Sequence, residues 1–224
     1  MNEIVVLIPC YNEEQTVAKV VRDFRNALPD AVIYVYDNNS GDATAQKAAA
    51  AGALVRTVHK RGKGRVIRRM LREIEARCYI IVDGDDTYPA EHAPVMVNAV
   101  LNKSIDMIVG DRLSTTYERI NDRRFHYSGN RLVRFLVNTL FRTQQKDILS
   151  GYRGLSRSFA QSFPCRSHGF EVEAEMTVHA LKSRAKISHI AIDYRPRPPG
   201  SFSKLRTIPD GIRILIAVFT AAKG

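Results

Sequence analysis

Tyr79-Ile80-Ile81-Val82-Asp83-Gly84-Asp85-Asp86-Thr87 is the stretch on which the fold turns. Four apolar residues read as a buried strand, and a cluster of carboxylates follows at its end. Working outward, Ile4 to Pro9 is a second apolar run, and Ala31 to Tyr36 is a third that closes on Asp37. Leu54 to Val58 and Asp106 to Gly110 add two more strands. Between them, Thr16 to Leu28 has helical spacing, with Val17, Val20, Val21, Phe24 and Leu28 on one face. Ala43 to Ala51 reads as a small-residue helix ended by Gly52, Gly64 to Ala76 as a basic helix, and Ala90 to Leu101 as another. Strands and helices that alternate in this way predict an α/β fold, a mainly parallel sheet with helices on both faces. Ligands of such sheets gather at the carboxyl ends of the strands.

The second half changes character. Thr115 to His126 is polar and Arg-rich, which predicts a loop. Tyr127 to Phe141 is helical, with Leu132, Phe135, Leu136, Thr139 and Leu140 on one side. Asp147 to Gly154 is rich in turn formers, Glu171 to Leu181 reads as a helix, and Ile187 to Tyr194 as a strand. Arg195 to Lys204 is a loop containing Pro196, Pro198, Pro199 and Gly200. Ile212 to Ala222 is apolar on nearly every side. Its eleven residues rise about 16 Å as a helix, roughly half a bilayer's hydrocarbon core, so it is too short to span. A helix of that kind is buried in protein or lies against lipid.

The chain has 224 residues, the size of one domain, and no linker or repeat divides it. Its 45% hydrophobic and 25% charged residues are the balance of a globular protein and exclude a disordered one. A net charge of +11 points to a polyanionic partner: phosphates, nucleic acid or an anionic bilayer surface. Cys10, Cys78 and Cys165 have no metal-site spacing and read as buried or free thiols in a reducing compartment. Met1 leads straight into an apolar strand, so no secretory leader is expected.

Three segments carry chemistry. Asp83-Gly84-Asp85-Asp86 crowds carboxylates at a strand end, an arrangement that a cation relieves. Hard oxygen ligands suit Mg²⁺ or Mn²⁺, which commonly share their sphere with substrate phosphates. A solvated acidic turn is the alternative for this motif. Asp37-Asn38-Asn39-Ser40-Gly41-Asp42 makes a turn in which Asp42 can cap the next helix. Asp37 ends an apolar strand on the same edge as Asp83, where a carboxylate can accept a hydrogen bond from a nucleobase imide. Arg61-Gly62-Lys63-Gly64-Arg65 lets backbone approach a diphosphate and lacks the spacing of a Walker loop.

In this order, and with Pro9-Cys10-Tyr11-Asn12-Glu13-Glu14 before them, the segments resemble family-2 glycosyltransferases. Further matches are Gly110-Asp111-Arg112, Asp147 to Arg153, Gly169 to Glu173 and Gly200 to Leu205. They resemble most closely the dolichol-phosphate-mannose-synthase-like branch, which moves a sugar onto a polyprenyl phosphate. The resemblance implies a GT-A fold, a Rossmann-like and mainly parallel sheet flanked by helices. It implies one catalytic domain over residues 1–224, with a nucleotide-sugar half over 1–110 and an acceptor half over 111–224. Pro9, Tyr11, Glu13 and Asp37 would shape the nucleoside pocket, with Lys63 near the base or diphosphate. Asp83 and Asp85 would be the metal-binding pair, Asp85 the more direct ligand. Arg112, Arg124 and Ser128 match the acceptor-phosphate pattern; Arg195, Arg197, Ser201 and Lys204 lie on a loop that would close over the phosphates. One departure is Thr87, where close relatives often carry Gln.

The implied reaction is inverting transfer from a UDP- or GDP-sugar to undecaprenyl or dolichyl phosphate at the cytosolic membrane face. No covalent sugar–enzyme intermediate and no obligatory base are needed, because the acceptor is already an anion. The protein would be peripheral to that membrane or a catalytic domain cut from a membrane-anchored protein, and a homo-oligomer is left open. A hydroxyl acceptor, such as a modified DNA base, would instead need a base, with Asp111 or Asp86 as candidates. Against nucleic acid, the basic residues lack an interleaved aromatic pattern. A nucleotide-sugar-binding module without activity is the remaining alternative, and intact Asp83, Asp85 and Lys204 argue against it.

Overall fold

A computed structural model describes residues 2–114 and 124–223. Strands β1 (Asn2–Cys10), β2 (Val32–Asp37), β3 (Leu54–Thr57) and β4 (Ala76–Ile81) are separated by helices α1 (Val17–Ala27), α2 (Thr44–Ala50) and α3 (Lys63–Glu73). A short 3₁₀ turn (Ala90–His92), α4 (Ala93–Asn102) and β5 (Met107–Asp111) follow. The second half supplies α5 (Arg124–Phe141), β6 (Arg153–Ser156), α6 (Arg157–Ser162), α7 (Val172–Lys182), β7 (Ile187–Ala191) and α8 (Thr207–Lys223). One seven-stranded sheet takes them in the order β3-β2-β1-β4-β6-β5-β7. All pairs are parallel except those of β6, which runs antiparallel to both β4 and β5.

The central strands are apolar on both faces because both faces are covered. Val5, Val6, Leu7 and Ile8 are all fully buried. Val6 and Ile8 join a core with Val17, Val20, Val21 and Phe24 of α1 and Met96 and Val100 of α4. Val5 and Leu7, pointing the other way, join Val66, Ile67 and Met70 of α3 and Val172 and Met176 of α7. Each such aliphatic side chain contributes about 1.5–3 kcal/mol on burial, so this alternation is what fixes the register. A third, smaller core holds α5, α7 and α8 together through Val133, Val137, Ala174, Val178, Ile214 and Val218.

Register sets the site. Cys10 stands beside Asp37, and the amide of Val82 donates to the Leu7 carbonyl at 3.1 Å. The chain segments after β1, β2 and β4 therefore leave the sheet along one edge. Gly52, at φ +91°, ends α2 as its sequence predicts.

Three expectations are corrected. α3 ends at Glu73, not Ala76, because Ile74 is already extended and Ala76 opens β4. The turn-rich Asp147–Gly154 segment leads directly into β6 and α6, neither of which is legible as an apolar run. In α5 the packed residues are Val133 and Val137, whereas Leu132, Phe135 and Leu140 of the expected stripe face outward. Of the two settings expected for α8, burial all round is not the one seen: Ile214 and Val218 pack inward while Ile212, Ile216 and Phe219 are exposed. Most of the expected Thr115–His126 loop lies outside the described residues.

Candidate active site

The strand-end segments converge on a cleft of about 1190 Å³. Pro9, Tyr11, Glu13, Lys63, Asp83, Asp85, Arg112, Arg195, Arg197, Ser201 and Lys204 all line it. Asp37 does not line it, although its neighbour Asn38 does.

Asn38 organises the first wall. Its amide nitrogen donates to the carbonyls of Val58 and Lys60 at 2.9 and 3.0 Å, and its oxygen accepts from the Gly62 amide at 2.7 Å. This clamps the basic loop onto β2. Gly62 sits at φ +135°, and a Cβ on it or on Gly64 would strike the backbone of His168 or Ser167. Glycine is therefore required for the loop to lie against residues 167–169. Arg61 stacks over the Tyr11 ring, 4.5 Å from its centroid. Asp37 is buried; its Oδ2 accepts from the Ser40 amide at 3.2 Å, while Oδ1 has no hydrogen-bond partner among the described residues.

Lys63 joins the two halves of the chain. Its ammonium lies 2.5 Å from Asp83 and 2.6 Å from Glu173 of α7. Burial alone would lower its pKa, but the two carboxylates hold it above the usual lysine value. Asp85 is almost completely buried. Burial first, and the Asp83 charge second, push its pKa up, against the opposing effect of Arg197. Arg197 forms an ion pair with Asp85, and the Thr87 hydroxyl donates to Asp85 Oδ1 at 2.6 Å. Thr87, noted in the sequence only as a departure, thus orients this carboxylate. Gly151 matters similarly, because any Cβ there would collide with the Asp83 carboxylate.

The loop over residues 195–204 reaches back across the cleft. Lys204 donates to Glu13 at 2.5 Å and to the Asn12 carbonyl at 2.9 Å. Burial raises the Glu13 pKa, and Lys204 partly offsets that rise. The Ser201 hydroxyl lies 3.4 Å from Glu13. Arg197 and Lys204 therefore meet acidic groups of the β1 and β4 ends, while Arg195 pairs with Glu91 at 2.8 Å.

Arg112 forms a buried fork with Asp147, Nε to Oδ2 at 2.7 Å and Nη2 to Oδ1 at 3.0 Å. Burial would raise the Asp147 pKa, but Arg112 brings it below the ordinary carboxylate value. The side chains of Arg124 and Ser128 lie outside the described residues. Neither candidate base for a hydroxyl acceptor lines the cleft: Asp86 pairs with Lys19 at 2.7 Å, and Asp111 accepts from Ser114 and from the Leu113 amide. Sequence reasoning gave no role to Tyr88, whose hydroxyl accepts from the Gly151 amide at 2.9 Å.

Among the described residues no cluster of three or more His, Cys, Asp or Glu side chains forms a complete metal cage. Asp83 and Asp85 nonetheless fit a hard divalent ion. They are two adjacent carboxylates on one edge, one of them buried and disfavoured in its charged form, and each is held in this structure by a cationic side chain. Such ions need only one or two carboxylates when phosphate oxygens complete the sphere.

The remaining wall is mostly apolar, with Asn130, Asp210 and Arg213 among its residues. Leu132, Val133 and Leu149 line it together with Ile212, Ile214 and Leu215. No helix among the described residues is long and apolar enough to cross a membrane.

A family model described as Glycosyl transferase family 2 matches residues 5–163. Protein RfbJ of Shigella flexneri is 53% identical over 109 residues, 49% of this chain and 84% of that protein. Glycosyltransferase AglJ of Haloferax volcanii is 34% identical over 221 residues, 98% of this chain and 72% of that protein. A dolichyl-phosphate hexose transferase of the same organism is 24% identical over 196 residues, 88% of this chain and 84% of that protein. Among solved structures, glucosyl-3-phosphoglycerate synthase from Mycobacterium tuberculosis, in complex with Mn²⁺, UDP-glucose and phosphoglyceric acid, has a TM-score of 0.80 at 20% identity, covering 99% of this chain and 80% of that one. That likeness gives the sheet and its flanking helices the GT-A fold. With the family model matched across most of the sheet and AglJ similar along nearly the whole length, the chain belongs to glycosyl transferase family 2 and is a glycosyltransferase.

Proposed function

We propose that the protein transfers a sugar from a UDP- or GDP-sugar to a polyprenyl phosphate at the cytosolic face of a membrane. The observation that carries this reading is the asymmetry of the cleft. One wall is rich in carboxylates and cations; the other carries Leu132, Val133, Leu149 and Ile212, and the two helices of that wall also expose Phe135, Ile216 and Phe219. A phosphate on an apolar chain matches both surfaces at once. The relative named as a dolichyl-phosphate hexose transferase supports the same acceptor class.

In this reading residues 1–110 hold the donor and residues 111–224 the acceptor, within one catalytic domain. Tyr11, Glu13 and Asp37 shape the nucleoside site beside Pro9, and the unpartnered Asp37 Oδ1 accepts a base N–H. Asp83 and Asp85 would hold Mg²⁺ or Mn²⁺, which would supply positive charge to stabilise the leaving diphosphate. Arg197 and Lys204 exchange Asp85 and Glu13 for the diphosphate as donor and metal arrive, and neutralise the charge that grows on the leaving group. Lys63 keeps Asp83 in place from the far side. Arg112, oriented by Asp147, binds the acceptor phosphate with Arg124 and Ser128, while Arg195 and Ser201 close the loop over it. An acceptor oxygen attacks the anomeric carbon as the bond to the diphosphate breaks, inverting that centre.

The C-terminal helix and the outward stripe of α5 rest on the anionic leaflet. Each basic residue near that surface adds about 1 kcal/mol. The test is a panel of UDP- and GDP-sugars with a short polyprenyl phosphate in vesicles, product read by mass spectrometry, with and without chelator. Metal-dependent formation of a polyprenyl-phosphate sugar is expected. Transfer to a water-soluble hydroxyl acceptor, with none to the lipid phosphate, would overturn it.

A further inference from the structure

We infer that Asn130 reads a hydroxyl of the transferred sugar and so sets which sugar the enzyme accepts; this rests on the proposed donor site. Asn130 stands on α5, lines the cleft, and is only 4% exposed. Its Oδ1 is buried and has no hydrogen-bond partner among the described residues. Buried side-chain oxygens are almost always satisfied, so an orphan that lines a cleft marks where a ligand donor lands.

The charged groups described above in the cleft already have partners. Asp83 and Glu173 share Lys63, Asp85 meets Arg197 and Thr87, Glu13 meets Lys204, and Arg112 meets Asp147. Asn130 is different. It interrupts the apolar wall just before Leu132 and Val133, and no hydrogen bond within the described fold explains its oxygen.

The chemistry of that oxygen narrows the ligand. It accepts and does not donate. Phosphate oxygens also accept, so neither the diphosphate nor an ionised acceptor phosphate can satisfy it. A polyprenyl chain offers no donor. Of the groups that the proposed reaction brings into the cleft beyond the nucleoside, the sugar supplies O–H groups, or the N–H of an acetamido group. A site built to bond such a group rejects an analogue that lacks it far more strongly than an apolar pocket discriminates by shape.

The experiment is calorimetric binding, in Mn²⁺ and without acceptor. The probes are UDP, GDP, UDP-glucose, UDP-galactose, UDP-N-acetylglucosamine and GDP-mannose, followed by the monodeoxy analogues of whichever sugar binds best. For Asn130→Ala the expected result is at least a tenfold loss of affinity for the best sugar. Affinity for one monodeoxy analogue and for the free nucleoside diphosphate should not change. An equal loss for all sugars, or an unchanged ranking, would overturn the inference. Should Asn130→Ala lose nucleoside diphosphate binding through misfolding, Asn130→Asp keeps an accepting oxygen and is expected to keep the ranking; a changed preferred sugar would overturn it. Failure of the wild type to bind any nucleotide sugar would instead sink the donor reading on which the inference rests.

Discussion

On one wall of the cleft, Asn38, Asp83 and Asp85 follow closely on strands whose side chains are buried on both faces. On the other, Leu132, Ile212 and Leu215 come from two helices held to the rest by a core of a few aliphatic residues, with Phe135, Ile216 and Phe219 facing outward. The first wall is positioned by sheet register, hydrogen-bonded loops and glycines that admit no side chain. The second is positioned by packing on one side of each helix and leaves the opposite side uncovered. The difference teaches where variation is tolerated: under the proposed function, donor chemistry sits on the rigid edge, and acceptor choice sits on elements that can change without disturbing the sheet.

The sharpest way to break this comparison is at the rigid wall. Asp85→Ala is expected to cut transfer by about a thousandfold or more, since charge stabilisation at the leaving group is usually the largest catalytic contribution. Residual activity near wild type in excess chelator would remove the metal pair from the account. Gly151→Ala tests rigidity itself. The added methyl collides with the Asp83 carboxylate, and a displacement of about 1 Å is expected to lower kcat about 100-fold. Unchanged kcat would show that Asp83 has room to move.

Much of the first wall was legible in the sequence, because parallel strands announce themselves as apolar runs and their carboxyl ends are where ligands gather. On that ground Asp37, Asp83 and Asp85 stand out as candidates, and the family resemblance supplies their roles. β6 could not. Arg153-Gly154-Leu155-Ser156 has one large aliphatic residue, and its other inward positions are Gly154 and a fully buried Arg153. Gly154 is needed because a Cβ would come within 2.7 Å of Ile108, and the Arg153 fork bonds the carbonyls of Ser150 and Ile148 at 3.0 and 2.6 Å. Burial lowers the Arg153 pKa to about 10. On the second wall the periodicity was visible but its sense was not: α5 is apolar on two sides, and spacing alone does not say which side meets the core. The pairing of Arg197 with Asp85 joins residues more than a hundred positions apart, and no local pattern encodes it.

The junction between the walls offers smaller effects. Asp147→Asn leaves Arg112 buried without its carboxylate, for an expected loss of about 3 kcal/mol in stability together with a raised acceptor KM. A denaturation midpoint equal to wild type would show the pair is not structural. The pH dependence has a definite sign. The Asp147 pKa is depressed, so its contribution is present above the ordinary value of 3.8 and is lost only as pH falls through the lower folded value.

The smallest expected effect is at His189, which lies 2.9 Å from Gln145. Burial holds its pKa below the ordinary 6.5. The unfolded chain therefore takes the proton first as pH falls, and stability declines from about pH 6.5 downward. His189→Gln is expected to remove that part of the decline, less than about 1 kcal/mol, while leaving stability at pH 8 nearly unchanged. An identical pH profile in the variant would assign the decline to other groups.

The central claim is that the donor wall and the apolar wall act separately, the second delivering a lipid phosphate to the first. Its most direct test is the double variant Phe135→Ser, Ile216→Ser, with transfer to polyprenyl phosphate in anionic vesicles and nucleoside diphosphate affinity measured on the same preparation. Both side chains are exposed, at 66% and 58%, so the fold should survive the change. Transfer is predicted to fall at least tenfold while nucleoside diphosphate affinity stays the same. Undiminished transfer, or a parallel loss of nucleotide binding, would contradict it.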